Sequence, residues 1–317
     1  MLRYALRRLG QAAIVLWTAY TVTFVLLFLL PTDPVETMLG ARGDSAALPP
    51  EQMAQLRAAY GFDKPALVQY VTRGWAALHG DFGNSMATGA PADGEVLTAL
   101  PYTLTLASAA LSLAILLGFS LALGITYTRS RLLKGLLSAL PPLSVSAPTF
   151  WLGLVLIQLF SFKLGWLPAF GDDGWQSVVL PAVTLAIPVS AGTAQVLAQS
   201  LHDQWSSPFI DVARAKGASR GRLLFKHALR NSVSPALAVI GMSVGGVLAG
   251  SVVTETIFSR NGIGRLTQQA VTLQDIPVVQ AVVVFAAVVF VGANLLVDLL
   301  QMALDPRVRT AQVRVGT

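Results

Sequence analysis

A glycine-flanked serine is the residue pattern here that most resembles covalent chemistry. Gly241-Met-Ser243-Val-Gly245 fits Gly-x-Ser-x-Gly, which in a nucleophile elbow exposes the serine on a strand-to-helix turn. Here the pattern sits inside a long apolar run, and a serine nucleophile also needs a base. The three histidines, His79, His202 and His227, all lie outside the apolar runs, so an intramembrane serine protease built on Ser243 lacks its base. The histidines are far apart, no His-Glu-x-x-His occurs and there is no cysteine. No metal site, thiolate nucleophile or disulfide framework is therefore expected. No Gly-Lys dipeptide occurs either, so the chain has no phosphate loop of the Walker A kind. It is expected to have no catalytic residue and to bind no cofactor of its own.

The elements carrying these residues are membrane segments. Of the 317 residues 54% are hydrophobic and only 12% charged, with mean hydropathy +0.63. A soluble domain carries about 25% charged residues; this chain has too few to cover a water-facing surface. Ordinary cytosolic enzymes, nucleic-acid-binding domains and disordered chains are disfavoured together. A bilayer-spanning helix needs about 20 apolar residues, and six runs qualify: Leu9–Leu30, Tyr102–Tyr127, Leu136–Phe162, Val178–Leu201, Val233–Phe258 and Val278–Met302. Pro141, Pro142, Pro148, Pro181 and Pro188 interrupt or border the third and fourth. The first run is too long for a signal-peptide core, and no small-residue cleavage site follows it, so it reads as a retained helix.

Charge predicts the orientation. Arg3, Arg7 and Arg8 precede the first run, which places the N-terminus inside. Six crossings then put fifteen of the 22 Lys and Arg on the cytoplasmic side. The net charge of +6 is a property of membrane topology, and nucleic acid need not be invoked.

Two loops are too long to be mere connectors. Residues 31–100 carry eight acids and two short helical patterns: one begins at Pro49/Pro50-Glu51, the other runs Val68–Leu78 with Trp75 suited to the membrane interface. A structural cap and a docking surface both fit this loop. Residues 202–232 predict a helix over Pro208–Lys216 capped by Ser207, a turn at Gly217, and a second helix over Arg220–Arg230 capped by Ser219. The result is a knob bearing Phe209, Ile210, Val212, Arg214 and Lys216. Within the fifth run, Gly241/Gly245 and Gly246/Gly250 form Gly-x-x-x-Gly pairs suited to close helix packing in lipid. Glu255 is a candidate ion pair with Arg260 or Arg265. Asp298 is another, with an arginine such as Arg307; neither is read as a proton relay. Matching broken helices in two halves, the sign of a coupled secondary transporter, are not visible.

Phe209-Ile-Asp-Val-Ala-Arg-Ala-Lys-Gly217 and His227-Ala-Leu-Arg-Asn-Ser-Val-Ser-Pro235 together resemble the cytoplasmic loop of bacterial ATP-binding-cassette importer permeases. More narrowly they are similar to the first permease subunit of the dipeptide/oligopeptide/nickel group. Leu30-Pro-Thr-Asp-Pro-Val35, Gly80-Asp-Phe-Gly83, Glu255-Thr-Ile-Phe258, Gly262-Ile-Gly264, Gln274-Asp-Ile-Pro277 and Leu304-Asp-Pro-Arg307 agree in order and spacing. Ala213 and Gly217 match the wider loop pattern, whereas Asp211 stands where that pattern has Glu.

The resemblance implies an all-α, type I permease fold with both termini cytoplasmic. It divides the chain into an N-terminal transmembrane helix (1–30), an extracytoplasmic region (31–96), a transmembrane core (97–302) and a cytoplasmic tail (303–317). It implies half of an import pathway in the bacterial inner membrane for di- or oligopeptides or a related solute such as a nickel chelate. A second, homologous permease would complete the pathway as a heterodimer. Two ATPase subunits holding ATP-Mg would dock on Phe209, Ile210, Asp211, Ala213, Arg214, Lys216 and Gly217. A binding protein or lipoprotein would deliver the solute outside.

Overall fold

The computed structural model describes the backbone of residues 2–28, 35, 36, 39 and 49–304, and the side chains of residues 8–27, 35, 36, 39 and 49–296. Among them the regular elements are helices: α1 (Leu2–Phe28), α2 (Pro50–Ala59), α3 (Ala66–Leu78), α4 (Ala92–Tyr127), α5 (Arg131–Ser146), α6 (Thr149–Lys163), α7 (Gln176–Trp205), α8 (Pro208–Ala215), α9 (Arg220–Ile257), α10 (Ile263–Thr272) and α11 (Ile276–Leu304). The contacts divide the chain into two compact units: Met1–Thr103 with Asn261–Val291, and Leu104–Arg260 with Gly292–Thr317.

In the first unit, α2 and α3 form where the acid-led and aromatic patterns predict them. Leu67, Val71, Trp75 and Leu78 make an exposed apolar stripe on α3. Tyr70 faces α1, where its hydroxyl is 2.7 Å from Thr21 Oγ1 and its carbonyl accepts from Tyr20 at 2.8 Å. A separate core joins Ala92, Val96 and Ala99 of α4 to Ile263 and Ala270 of α10 and to Val278, Val279 and Val282 of α11, with the Phe82 and Phe285 rings in contact at 5.9 Å.

In the second unit, α4, α7 and α9 pack around small residues. A Cβ added at Gly118 would lie 3.0 Å from the Ser190 carbonyl oxygen and 3.0 Å from Thr193 Cβ, so α4 and α7 approach this closely only with glycine there. Gly118→Leu is expected to cost about 1–3 kcal/mol through overpacking, read as a lower unfolding midpoint of the detergent-solubilised protein.

The third apolar run is broken where its prolines cluster. Helices α5 and α6 meet at 106°. Pro148 lacks an N–H to continue α5 and forces the preceding residue out of helical conformation; Ala147 is accordingly extended, with φ −88° and ψ 127°. The pair still runs from one end of the unit to the other. α5 starts four residues after α4, at the end where the Arg220 guanidinium meets Thr126 O, Tyr127 and Trp205. α6 finishes at the opposite end, where Ile157 packs with Leu180 and Phe258. The bend therefore makes a broken span rather than a hairpin returning to its starting face. A departure from the sequence pattern is that the two predicted pieces, Arg220–Arg230 and Val233–Phe258, form a single helix. α9 absorbs Pro235 and a π-helical stretch, Leu223–Ala228, and at 1.5 Å per residue is about 57 Å long. It outruns a hydrocarbon core of about 30 Å, so its first turns project beyond the bilayer.

Candidate functional site: a projecting helix between α7 and α9

The short helix α8 carries the knob. Its start follows from Pro208 at the first helical position after an extended Ser207; the expected Ser207 cap does not form, because its hydroxyl donates back to Asp203 O at 3.3 Å. Its end follows from Gly217, whose φ is +79° and whose N–H bonds the Arg214 carbonyl at 2.9 Å while Ala218 N–H reaches back to Ala213 O at 3.1 Å. These two bonds satisfy carbonyls that a helix end leaves open. Ser219 Oγ then accepts from Arg222 N–H and opens α9.

An isolated helix of eight residues is unstable in water, so its attachment to the body decides whether the knob is rigid. Ile210 is that attachment. It is 0% exposed and packs with Ala122, Leu197, Leu201, Leu223, Leu224 and Ala228. The sequence pattern places Ile210 with Phe209 and Val212 on the outward tip. The structure corrects this: with 3.6 residues per turn, Ile210 faces the body while Phe209 (39% exposed) and Val212 (55%) face out. Asp211 and Arg214 form an exposed ion pair at 3.1 Å, one turn apart beside that apolar pair. Ala213 is half-buried, and Lys216 and Gly217 lie exposed at the tip. The outward surface thus consists of two apolar side chains ringed by charges of both signs. Such a surface suits docking into a groove.

Comparison with known proteins shows the family. The profile of the binding-protein-dependent transport system inner membrane component matches residues 114–310, and the profile of that family's N-terminal region matches residues 1–107. The chain belongs to this family. It is 35% identical to the glutathione transport system permease protein GsiC of Salmonella paratyphi A over 309 residues, covering 98% of this chain and 99% of the relative. It is 33% identical to the GsiC of Escherichia coli K12 over the same shares. Solved structures share the fold: an amino acid ABC transporter (TM-score 0.53, 18% identity, 66% of this chain and 94% of that one) and the inward-facing MetNI methionine ABC transporter (TM-score 0.51, 16% identity, 66% and 96%). The protein is therefore a non-catalytic permease subunit of an ABC importer, a multi-pass protein of the bacterial inner membrane that works with ATPase and binding-protein partners.

The remaining candidate residues of the permease fall into structural roles. Ser243 Oγ donates to Val239 O one turn back at 2.8 Å, the usual back-bond of a helical serine. Of the glycine pairs, Gly250 contacts α7, where an added Cβ would come within 3.0 Å of Leu185 Cδ2, whereas Gly246 opens on empty space. Gly241 is buried and Gly245 half-buried. Glu255 is 0% exposed. Of its two candidate partners, Arg260 reaches a different acid: its Nη2 lies 3.4 Å from Asp172 Oδ1, and Nη1 donates to Ser177 O and Ser177 Oγ at 3.2 Å and to Gly171 O at 3.4 Å. Arg265 donates to Asn261 at 3.2 Å. The side chain of Asp298 lies outside the described residues.

Two residues that sequence reasoning passed over hold the framework. Arg220 fastens the root of the knob by donating to Thr126 O at 3.1 Å, between the Tyr127 and Trp205 rings. Asp275, inside the Gln-Asp-Ile-Pro motif, is 2% exposed. It accepts from Ser85 Oγ, from Ala87 N–H at 3.0 Å and from Val278 N–H at 3.4 Å, tying the 85–87 turn to the start of α11. The signal for Arg220 was its place beside two aromatic helix ends; for Asp275 it was an acid two residues before a proline-led helix.

Proposed function

We propose that this permease pairs with a second, homologous but non-identical permease to form the pathway of a peptide-class importer. Its solutes would be small peptides or peptide-like molecules of the kind named for the GsiC relatives. Two ATPase subunits, holding ATP-Mg, dock one to each permease knob. The observation carrying this reading is α8, a short helix anchored by Ile210 that leaves Phe209, Val212, Arg214 and Lys216 outward. ATP closure moves such a helix as a rigid body and switches access between the two membrane faces.

The reading requires α8 inside and the α2–α3 region outside. The protein has no cysteine, so one introduced thiol is the only one. An impermeant maleimide is expected to label a cysteine at Asp63 in intact spheroplasts and to miss one at Ser206; the opposite pattern overturns the orientation. Reconstitution of the complete importer in proteoliposomes then tests the cargo: ATP-dependent accumulation of a labelled dipeptide or glutathione supports the peptide class, and its absence alongside uptake of a nickel chelate replaces it.

Gly217 supplies a sharper test of the knob. No heavy atom lies within 4 Å of a Cβ placed there, so only the positive φ resists a side chain. Gly217→Val is expected to leave the bundle inserted, strain the turn by about 1–2 kcal/mol and reduce both ATPase co-purification and uptake. Full docking with full uptake would make Gly217 an ordinary loop residue.

A further inference from the structure

The first unit holds a polar pocket that the permease role leaves unassigned. It measures about 570 Å³ and lies between the end of α2, the inner face of α3, the Gly80–Asn84 turn and the first turns of α11, within the size range of small-molecule sites. Three charged side chains line it, Lys64, Arg73 and Asp81, and none makes an ion pair among the described residues. Arg73 is held from one side only. Its Nη2 donates to Tyr60 O at 2.8 Å, and the guanidinium lies over the Phe62 ring at 4.6 Å. Burial pushes its pKa below the ordinary arginine value, partly opposed by Tyr20, a direction that an arriving anion reverses. Asp81 accepts from Gly83 N–H at 2.9 Å through Oδ1, which leaves carboxylate capacity for a second donor. At the floor Gln280 is 3% exposed, and its Nε2 has no hydrogen-bond partner among the described residues. Buried amides without partners are uncommon and costly, so a native one beside a polar cavity points to a missing acceptor.

Two cations, one acid and an amide in a pocket of this size match a small zwitterion. We propose that the pocket is a binding site for a short peptide with free ends: its carboxylate meets Lys64 and Arg73, its ammonium meets Asp81, and Gln280 donates to a backbone carbonyl. The proposal rests on the peptide-class reading above and adds a site on this chain itself, separate from the knob. A phosphatidylethanolamine headgroup also carries an anion and an ammonium, and the experiment separates the two.

The test uses the full-length chain with its partner permease and ATPases, without the soluble binding protein, in phosphatidylcholine nanodiscs. Equilibrium binding of radiolabelled alanylalanine is measured beside its N-acetyl and C-amide forms. Saturable binding is expected with Kd in roughly the millimolar range or tighter, weakened at least tenfold by blocking either end. Lys64→Gln and Asp81→Asn are expected to weaken it similarly, since Asn keeps the acceptor for Gly83 N–H and removes only the charge. Gln280→Leu is expected to weaken binding without lowering the melting temperature, because it removes an unpartnered amide. Equal binding of the blocked peptides, or binding unaltered in all three variants, overturns the site. Loss of alanylalanine binding when phosphatidylethanolamine replaces phosphatidylcholine assigns the pocket to the headgroup and overturns the peptide assignment. Peptide uptake by the complete importer without alanylalanine binding here refutes the pocket alone; failure of peptide uptake refutes the underlying reading.

Discussion

Arg260→Met is expected to be among the most destabilising single substitutions in this protein, lowering stability by about 3–5 kcal/mol, the range found when one partner of a buried ion pair is removed. Arg260 is 2% exposed and Asp172 12%, so water cannot readily take over either charge. The guanidinium also caps three acceptors on the 171–177 segment, which Gly171 N–H joins to Phe258 O at 3.0 Å. Its removal releases the link between α6 and α7 from the end of α9. Arg260→Lys keeps a charge but loses the planar fork that serves several acceptors at once, so an intermediate loss is expected. The measurement is the unfolding midpoint in nanodiscs together with the yield of inserted protein. A midpoint for Arg260→Met within about 0.5 kcal/mol of the parent, the scatter of ordinary surface substitutions, would remove Arg260 from the framework.

The two residues on which the knob and the framework depend, Ile210 and Arg260, show where sequence reading stops. The spans were legible because a bilayer sets a length that few soluble elements match. The break in the third was signalled by Pro148, although its 106° angle depends on how α5 and α6 each find their neighbours. The knob was legible at both ends, since Pro208 presets the first helical φ and Gly217 accepts the left-handed turn, although the side-chain cap expected from Ser207 does not form. Its orientation was not: Phe209, Ile210 and Val212 are all apolar and nearly adjacent, and only the pocket made by Leu201, Leu223 and Leu224 decides which one turns inward. Arg260 was in view as a partner for Glu255, five residues away. The acid it reaches, Asp172, lies 88 residues earlier in the chain, and no local spacing encodes such a pairing. Gln280 carried no signal at all; a glutamine in an apolar helix becomes informative only once the cavity beside it is visible.

The contrast between Ile210 and Phe209 yields the second large effect. Ile210→Asp places a carboxylate among Leu197, Leu201, Leu223 and Leu224, where an unpaired charge is strongly disfavoured. α8 is too short to persist unsupported, so the expected response is local: the knob detaches and becomes sensitive to protease, while α7 and α9 stay inserted. ATPase co-purification and uptake are expected to fall below detection. Ile210→Ala, which removes apolar volume without adding charge, is expected to cost about 2–5 kcal/mol and to leave partial docking. Phe209→Ala with Val212→Ala makes the opposing case. Both side chains are exposed, so the melting temperature is expected to hold within the scatter of surface changes, while docking is lost through the missing contact surface. A structural loop would respond to the first substitution and ignore the second. A docking helix responds to both, and only the second separates loss of contact from loss of fold. Full ATPase docking by the Phe209/Val212 double variant would mean that the outward face of α8 is not the contact, and the coupling route would have to be sought on the first turns of α9, where Arg222 and Phe225 also lie exposed.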